Sequence, residues 1–303
     1  MTTDNPYQSP VAEVAPEPVN VGEVQLRPAR RVKAGRGASW FGDAFAATAR
    51  GTPGWVLFAI VFILAYVPMA AAPYLPLGNE VVVQIVVSFF GTIPIALLWG
   101  GAMAGCHADR FSFVRAWRGM WRSWRPLAVM GLLMAVLTLP GMLILGAVGF
   151  LDVDPAASGS FDNFSVATWV IVIVGMLAYY SLLSMALWMA PALITLGGMG
   201  PVPAMMTSLR AAFKNTLAFL VYGLVVLGAG IAMFLVLGIA AAVVMGVTGM
   251  AASLAGGGNT SSAFGGMVII GILYVAMYIG VLGVLYQSQY ATFMDVFAYD
   301  DAA

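Results

Sequence analysis

Six long apolar runs alternate with short polar segments along this chain. They cover residues 55–75, 81–106, 127–151, 166–190, 217–247 and 267–290. Each meets the roughly 20 residues that a helix needs to cross a bilayer core. An amphipathic stretch stands ahead of each odd-numbered run. The most pronounced is 111–126, FSFVRAWRGMWRSWRP. At about 100° per residue, Phe113, Trp117, Met120, Trp121 and Trp124 fall on one helical face, and Arg115, Arg118, Arg122 and Arg125 fall on the other. A basic stripe backed by aromatics suits a helix lying in the headgroup layer. The pattern predicts an all-α polytopic membrane protein with six transmembrane helices and three cytoplasmic interfacial amphipathic helices.

The three amphipathic stretches can be placed in register. Phe41, Phe113 and Met205 align, then Phe45, Trp117 and Leu209, then Ala49, Trp121 and Phe213. One position on stand Arg50, Arg122 and Lys214, each followed by a small or polar residue: Gly51, Ser123 and Asn215. The chain therefore reads as three parallel units, each an interfacial helix followed by a transmembrane hairpin. In the first unit the helix is expected over 39–50, with Phe41 and Phe45 on one face and Asp43 and Arg50 on the other. The fifth run is longer than one crossing requires. Residues 217–247 span about 46 Å at about 1.5 Å per residue, against a core of about 30 Å. Gly228, Gly230 and Gly238 point to a break or bend there. Pro68, Pro94 and Pro191 are expected to kink or end their helices.

Three segments follow. Residues 1–38, with five prolines and little to form a core, read as a disordered cytoplasmic tail. Residues 39–297 form the six-helix transmembrane domain, and 298–303 a cytoplasmic C-terminal tail. All Lys and Arg lie ahead of the first apolar run (in the tail and at Arg50), in the 107–126 loop, or at Arg210 and Lys214. The opposite loops, 76–80, 152–165 and 248–266, hold none and carry Glu80, Asp152, Asp154 and Asp162. By the positive-inside rule both termini are cytoplasmic. The basic second half of the tail could also touch anionic lipid headgroups. Asn163 and Asn259 begin glycosylation-type tripeptides on the outer side.

Composition narrows the function classes. The chain is 61% hydrophobic and only 9% charged, which belongs to an integral membrane protein. Basic and acidic residues cancel in number, so net charge says nothing about partners and only their placement does; no nucleic-acid partner is expected. The single cysteine, Cys106, excludes an internal disulfide. No span carries a charge near its centre, which argues against a proton- or sodium-coupled transporter. The polar residues inside the runs, Gln84, Ser88, Thr92, Ser181, Ser184, Thr195, Gln287 and Gln289, read as interhelical hydrogen-bonding groups. His107 is the only histidine and follows Cys106, but one helix turn supplies too few ligands for a metal. No serine lies in a nucleophile-elbow motif and no carboxylates pair, so neither catalytic residues nor a cofactor are expected. Gly101 and Gly105 form a G-x-x-x-G pair that favours close helix packing, within the bundle or between subunits.

Four short motifs carry a family resemblance: Asn5-Pro6-Tyr7, WMAPAL from Trp188, PAMMTSLRAAFKN from Pro203 and YQSQYATFMDVF from Tyr286. On these the chain resembles a group of uncharacterised bacterial multi-pass inner-membrane proteins. That group is distantly similar to the membrane domain accompanying some glycerophosphodiester phosphodiesterases. The resemblance covers the layout of residues 39–297. It departs at Met294, where the family pattern has a basic residue before the Asp. It implies an inner (plasma) membrane location and brings no catalytic residues, and the chain has no soluble phosphodiesterase domain. The first functional expectation is a non-catalytic membrane scaffold or accessory subunit. It would contact anionic lipid on the cytoplasmic face and a membrane-protein partner or a second copy. The alternative is a lipid or hydrophobic-solute transporter.

Overall fold

The computed structural model describes residues 24–71, 74, 80–108, 110–151, 166–254 and 260–298. Every regular element among them is a helix: α1 (Arg36–Arg50), α2 (Thr52–Ala71), α3 (Glu80–Cys106), α4 (Phe113–Arg122), α5 (Trp124–Leu151), α6 (Val166–Trp188), α7 (Ala190–Thr195), α8 (Pro201–Lys214), α9 (Thr216–Leu254) and α10 (Thr260–Phe297). Five stretches are long and apolar enough to cross a membrane, or six if the bent pair α1–α2 counts as one. The protein has the build of a polytopic membrane protein. Asp152, Asp154, Asp162, Asn163 and Asn259 lie outside the described residues.

Three short helices run straight into three long ones across a single residue. The hinges are Gly51, Ser123 and Asn215, with φ/ψ of −103°/12°, −108°/20° and −117°/23°. All three sit in the bridge region beside the α basin, which turns the chain without unwinding it. Each hinge N–H bonds back into the short helix, to Ala47 and Thr48, to Gly119, or to Ala211 and Ala212. Each hinge carbonyl accepts an N–H of the long helix: from Trp55 at 3.2 Å, and from Leu127 and Phe219 at 3.1 Å. One residue thus closes one helix and opens the next with its own backbone groups paired. Between α1 and α2 the turn is 94°.

The inward faces of the short helices are built largely from small residues. Trp40, Ala44 and Thr48 are buried on α1, Ala116, Gly119 and Met120 on α4, and Ala204, Ser208, Ala211 and Ala212 on α8. Counted back from the hinges, Ala44, Ala116 and Ser208 are equivalent. The aromatics expected to share a face with Met120 point elsewhere: Trp117 and Trp121 are exposed. The expected continuous helix over 111–126 also ends at Arg122, so Trp124 opens α5 and shares no face with Trp117. Similarly α1 begins at Arg36, and Phe45 lies outside while Trp40 lies inside.

These helices link the three units in a ring of contacts. The most extensive contacts of α4 are with α3, those of α8 with α6, and those of α1 with α10. Each short helix therefore packs on the second long helix of the preceding unit, and the first closes on the last. The main core lies at the basic end, where α2, α3, α4, α5, α7, α8 and α10 contribute buried side chains. It joins Trp55, Phe58, Met103, Leu127, Leu193 and Phe293, among others. Trp55 stacks on Phe111 at 3.7 Å between ring centroids. Away from this basic end the long helices are little covered by the rest of the chain. Beyond Tyr222, no residue of α9 up to Thr248 is buried.

Two expectations about breaks resolve differently. The chain does break beside Pro191: α6 ends at Trp188 and α7 starts at Ala190, with the proline in its first turn. Pro68 and Pro94 lie inside α2 and α3 and do not end them. α9 runs uninterrupted for 39 residues, and an added Cβ at Gly228, Gly230 or Gly238 would meet nothing within 4 Å. With no water to solvate freed backbone groups, an unbroken ladder is the cheaper arrangement.

Candidate functional site

The basic-aromatic stripe is held from behind by α3. Gly101 and Gly105 lie under α4: a Cβ at Gly101 would sit 2.9 Å from the Ala116 carbonyl oxygen, and one at Gly105 2.6 Å from the Phe111 ring. The two glycines thus admit α4 and Phe111 within the chain. Two of the arginines are tethered. Arg115 donates to the His107 carbonyl, and Arg122 to the Thr195 carbonyl at 3.0 Å. Arg125 lies over the Trp124 ring, 5.5 Å from its centroid, and Arg118 is exposed. Trp117 and Trp121 meet edge to face at 5.9 Å. The stripe therefore offers uncovered indoles beside exposed cations, with two of its four arginines fixed to carbonyls.

A second feature was not legible as a site. Residues 24–35, placed by the sequence in a disordered tail over 1–38, form an extended strap across the basic end; residues 1–23 lie outside the described residues. The strap is held by orphan carbonyls at helix ends. Arg27 N–H donates to the Phe297 carbonyl at 2.9 Å, Arg30 N–H to Val296 at 3.1 Å, and Val24 N–H to Leu196 at 3.1 Å. Asn215, the third hinge residue, clasps the strap with its amide. Its Oδ1 accepts from Val32 N–H at 2.8 Å, and its Nδ2 donates to the Arg30 carbonyl at 3.0 Å.

Asp295 gathers the strap and α1 onto α10. Its carboxylate accepts from Arg36 Nε at 2.8 Å and Trp40 Nε1 at 2.6 Å, and pairs with Arg30 at 3.7 Å. Arg30 also donates to the Asp295 carbonyl at 2.6 Å. Two cations at the C-terminal end of α10 suit the negative pole of the helix. The carboxylate nearest the end of the last apolar run, with a basic segment elsewhere to receive it, was the available signal.

Three hollows surround these elements. The first, about 540 Å³, is an apolar groove between α9 and α10 roofed by α1. Phe41 and Phe45 line its upper end, and Met233, Gly230, Met277 and Gly280 its length. The second, about 700 Å³, lies between the strap and α8, with Arg27, Arg210 and Lys214 in its walls. The third, about 590 Å³, lies at the α8–α9 hinge, lined by Arg31, Lys33 and Lys214 together with Phe213, Leu217 and Leu220.

Of the interior polar groups, Thr92 and Gln289 bond across helices, whereas Thr195 Oγ1 is buried without a hydrogen-bond partner. Trp99 Nε1 donates to Gln289 Oε1, and Thr92 Oγ1 to the Gly131 carbonyl at 2.8 Å. His107 Nδ1 lies 2.8 Å from the Tyr290 hydroxyl. Ser181 and Ser184 are exposed on α6, and the side chains of Gln84 and Ser88 lie outside what is described. Among the described residues no three His, Cys, Asp or Glu side chains converge. Comparison with family models, with curated proteins and with solved structures finds no match to the chain.

Proposed function

We propose that this is a non-enzymatic inner-membrane protein that binds, and passes along, a lipid chain or hydrophobic solute in the groove between α9 and α10. The observation that carries the reading is the groove itself. It is long, open and almost wholly apolar, and two glycines and two methionines make its walls thin and adaptable. In water such a surface would be a liability; between two membrane helices it is a seat for an acyl chain or a similar molecule. The basic end faces the cytoplasm in this reading, with both termini there, because every Lys and Arg in the sequence lies at that end. The short helices α1, α4 and α8 then lie at headgroup depth as interfacial amphipathic helices. Trp117, Trp121 and Trp124 enter the lipid while Arg115, Arg118, Arg122 and Arg125 meet anionic headgroups. The resemblance to the uncharacterised inner-membrane group is retained as part of this proposal.

Filling the groove tests it. A Cβ at Gly230 or Gly280 meets nothing within 4 Å, so both positions accept a side chain without strain on the fold. Gly230→Phe and Gly280→Phe are expected to keep the melting temperature of the parent. Native mass spectrometry of gently extracted protein is expected to show a bound hydrophobic molecule on the parent. The double variant should lose it at least about tenfold, since each ring displaces contacts of about 1.5–3 kcal/mol. Equal occupancy in both proteins would sink the proposal.

A scaffold or accessory-subunit role is the second reading, favoured by α9. From Gly223 to Thr248 none of its residues is buried by the rest of the chain, which leaves room for a partner helix or a second copy. Photo-crosslinking from position 234 or 235 in native membranes separates the two readings. Adducts with one stoichiometric protein support the scaffold, whereas lipid adducts alone support the groove.

A further inference from the structure

We propose that the hollow at the α8–α9 hinge is a seat for an anionic phospholipid, separate from the α9–α10 groove and from the arginine stripe of α4. Three cations from two parts of the chain meet there: Arg31 and Lys33 from the strap, and Lys214 from the end of α8. Among the described residues, no acidic side chain lines this hollow or its neighbour, where Arg27 and Arg210 join Lys214. The strap carries the first two cations to this place. Asn215 holds its backbone through Val32 and Arg30, and the Lys214 ammonium bonds the Ala29 carbonyl. The cluster is therefore positioned by hydrogen bonds rather than spread along a free tail.

The other wall of the same hollow is apolar and continues into the membrane. Phe213, Leu217 and Leu220 are more than half exposed there. Leu217, Leu220, Leu224, Leu227 and Ile231 recur at three- and four-residue spacing, so they form one uncovered ridge down α9. That ridge lies on a different face of α9 from Tyr222, Val226, Ala229 and Met233, which line the groove. Cations above and an apolar ridge below match a molecule with a phosphate head and acyl tails. A phosphate held by the cations alone would leave the ridge unused, so the lipid is the occupant the geometry favours.

A local reporter tests this without interference from other lipid contacts. Cys106 is the sole cysteine and is buried. A fluorophore on Leu220→Cys therefore reads this site alone in the full chain in neutral detergent. Phosphatidylglycerol with a nitroxide on its acyl chain is expected to quench it saturably, and phosphatidylcholine with the same label is not. Arg31→Gln with Lys33→Gln is expected to weaken the quenching about 30-fold, from about 1 kcal/mol for each charge lost. The exchange Arg31→Lys with Lys33→Arg is expected to restore it. Equal quenching by both lipids, or an unchanged affinity in the Gln variant, would overturn the proposal. So would inorganic phosphate that displaces the lipid at millimolar concentration, which would reassign the hollow to a free anion.

Discussion

Gly37→Val is expected to lower the melting temperature of the detergent-solubilised protein by about 6–12 °C. A Cβ at Gly37 would lie 2.1 Å from the Ala218 carbonyl oxygen and 2.8 Å from the Tyr222 nitrogen. Both are backbone atoms of α9 and cannot rotate aside. The helices must separate, and with them goes the seat of Trp40, which is fully buried against Phe219 and Tyr222. Overpacking against rigid atoms costs about 3 kcal/mol at the upper end of its usual range. For a chain of this size each kcal/mol moves the midpoint by about 2–4 °C. Gly42→Ala in the same helix is the control. Its Cβ meets open space, and removing a helical glycine stabilises by about 0.5–1 kcal/mol. If Gly37→Val melts with the parent, α1 does not rest on α9 as described.

Asp295→Ala is expected to release the strap without unfolding the bundle. The substitution takes the acceptor from Trp40 Nε1 and removes the carboxylate that Arg30 and Arg36 share. Breaking a fully buried pair costs about 3–5 kcal/mol. Here the Arg side chains are 38% and 45% exposed, so solvent screens the loss and about 2 kcal/mol is the better figure. Trypsin cleavage after Arg30, Arg31 and Lys33 requires the strap to lift. Its rate is then expected to rise about 30-fold while the rest of the chain stays protected. Asp295→Asn keeps an acceptor for Trp40 but not the charge, so its rate should fall between the two. Parental cleavage in Asp295→Ala would remove Asp295 as the clasp. General fragmentation would show that the strap supports the whole bundle.

The contrast between these residues shows where reading the chain in order succeeds. Gly51, Ser123 and Asn215 stood in register in the sequence, and all three became hinges of nearly the same conformation. Their register was legible because each follows a basic residue ahead of a long apolar run, but the corner itself was not, since the helix over 111–126 was expected to continue through Ser123. The inward faces were not legible. In a membrane protein both the lipid side and the protein side of a helix are apolar, so hydrophobicity does not say which is which. Small residues such as Ala44, Ala116 and Ser208 turn inward because they let backbones approach, while Trp117 and Trp121 stay outside. The strap was hidden for a different reason. It is held by backbone N–H groups and by single side chains that lie far away in the chain, and neither leaves a periodic trace.

The sequence by itself determined the class, the six apolar runs, the clustering of the charges between them and the common register of Gly51, Ser123 and Asn215. These follow from composition and from spacing along a helix, which are local properties. Only the tertiary structure decided that α1 closes on α10, that residues 24–35 clasp the basic end, and that α9 runs unbroken between two unlike faces. Those outcomes depend on which distant carbonyl, carboxylate or small residue is within reach once the helices have packed. Pairings of that kind are set by three-dimensional proximity, and no single stretch of chain contains both partners.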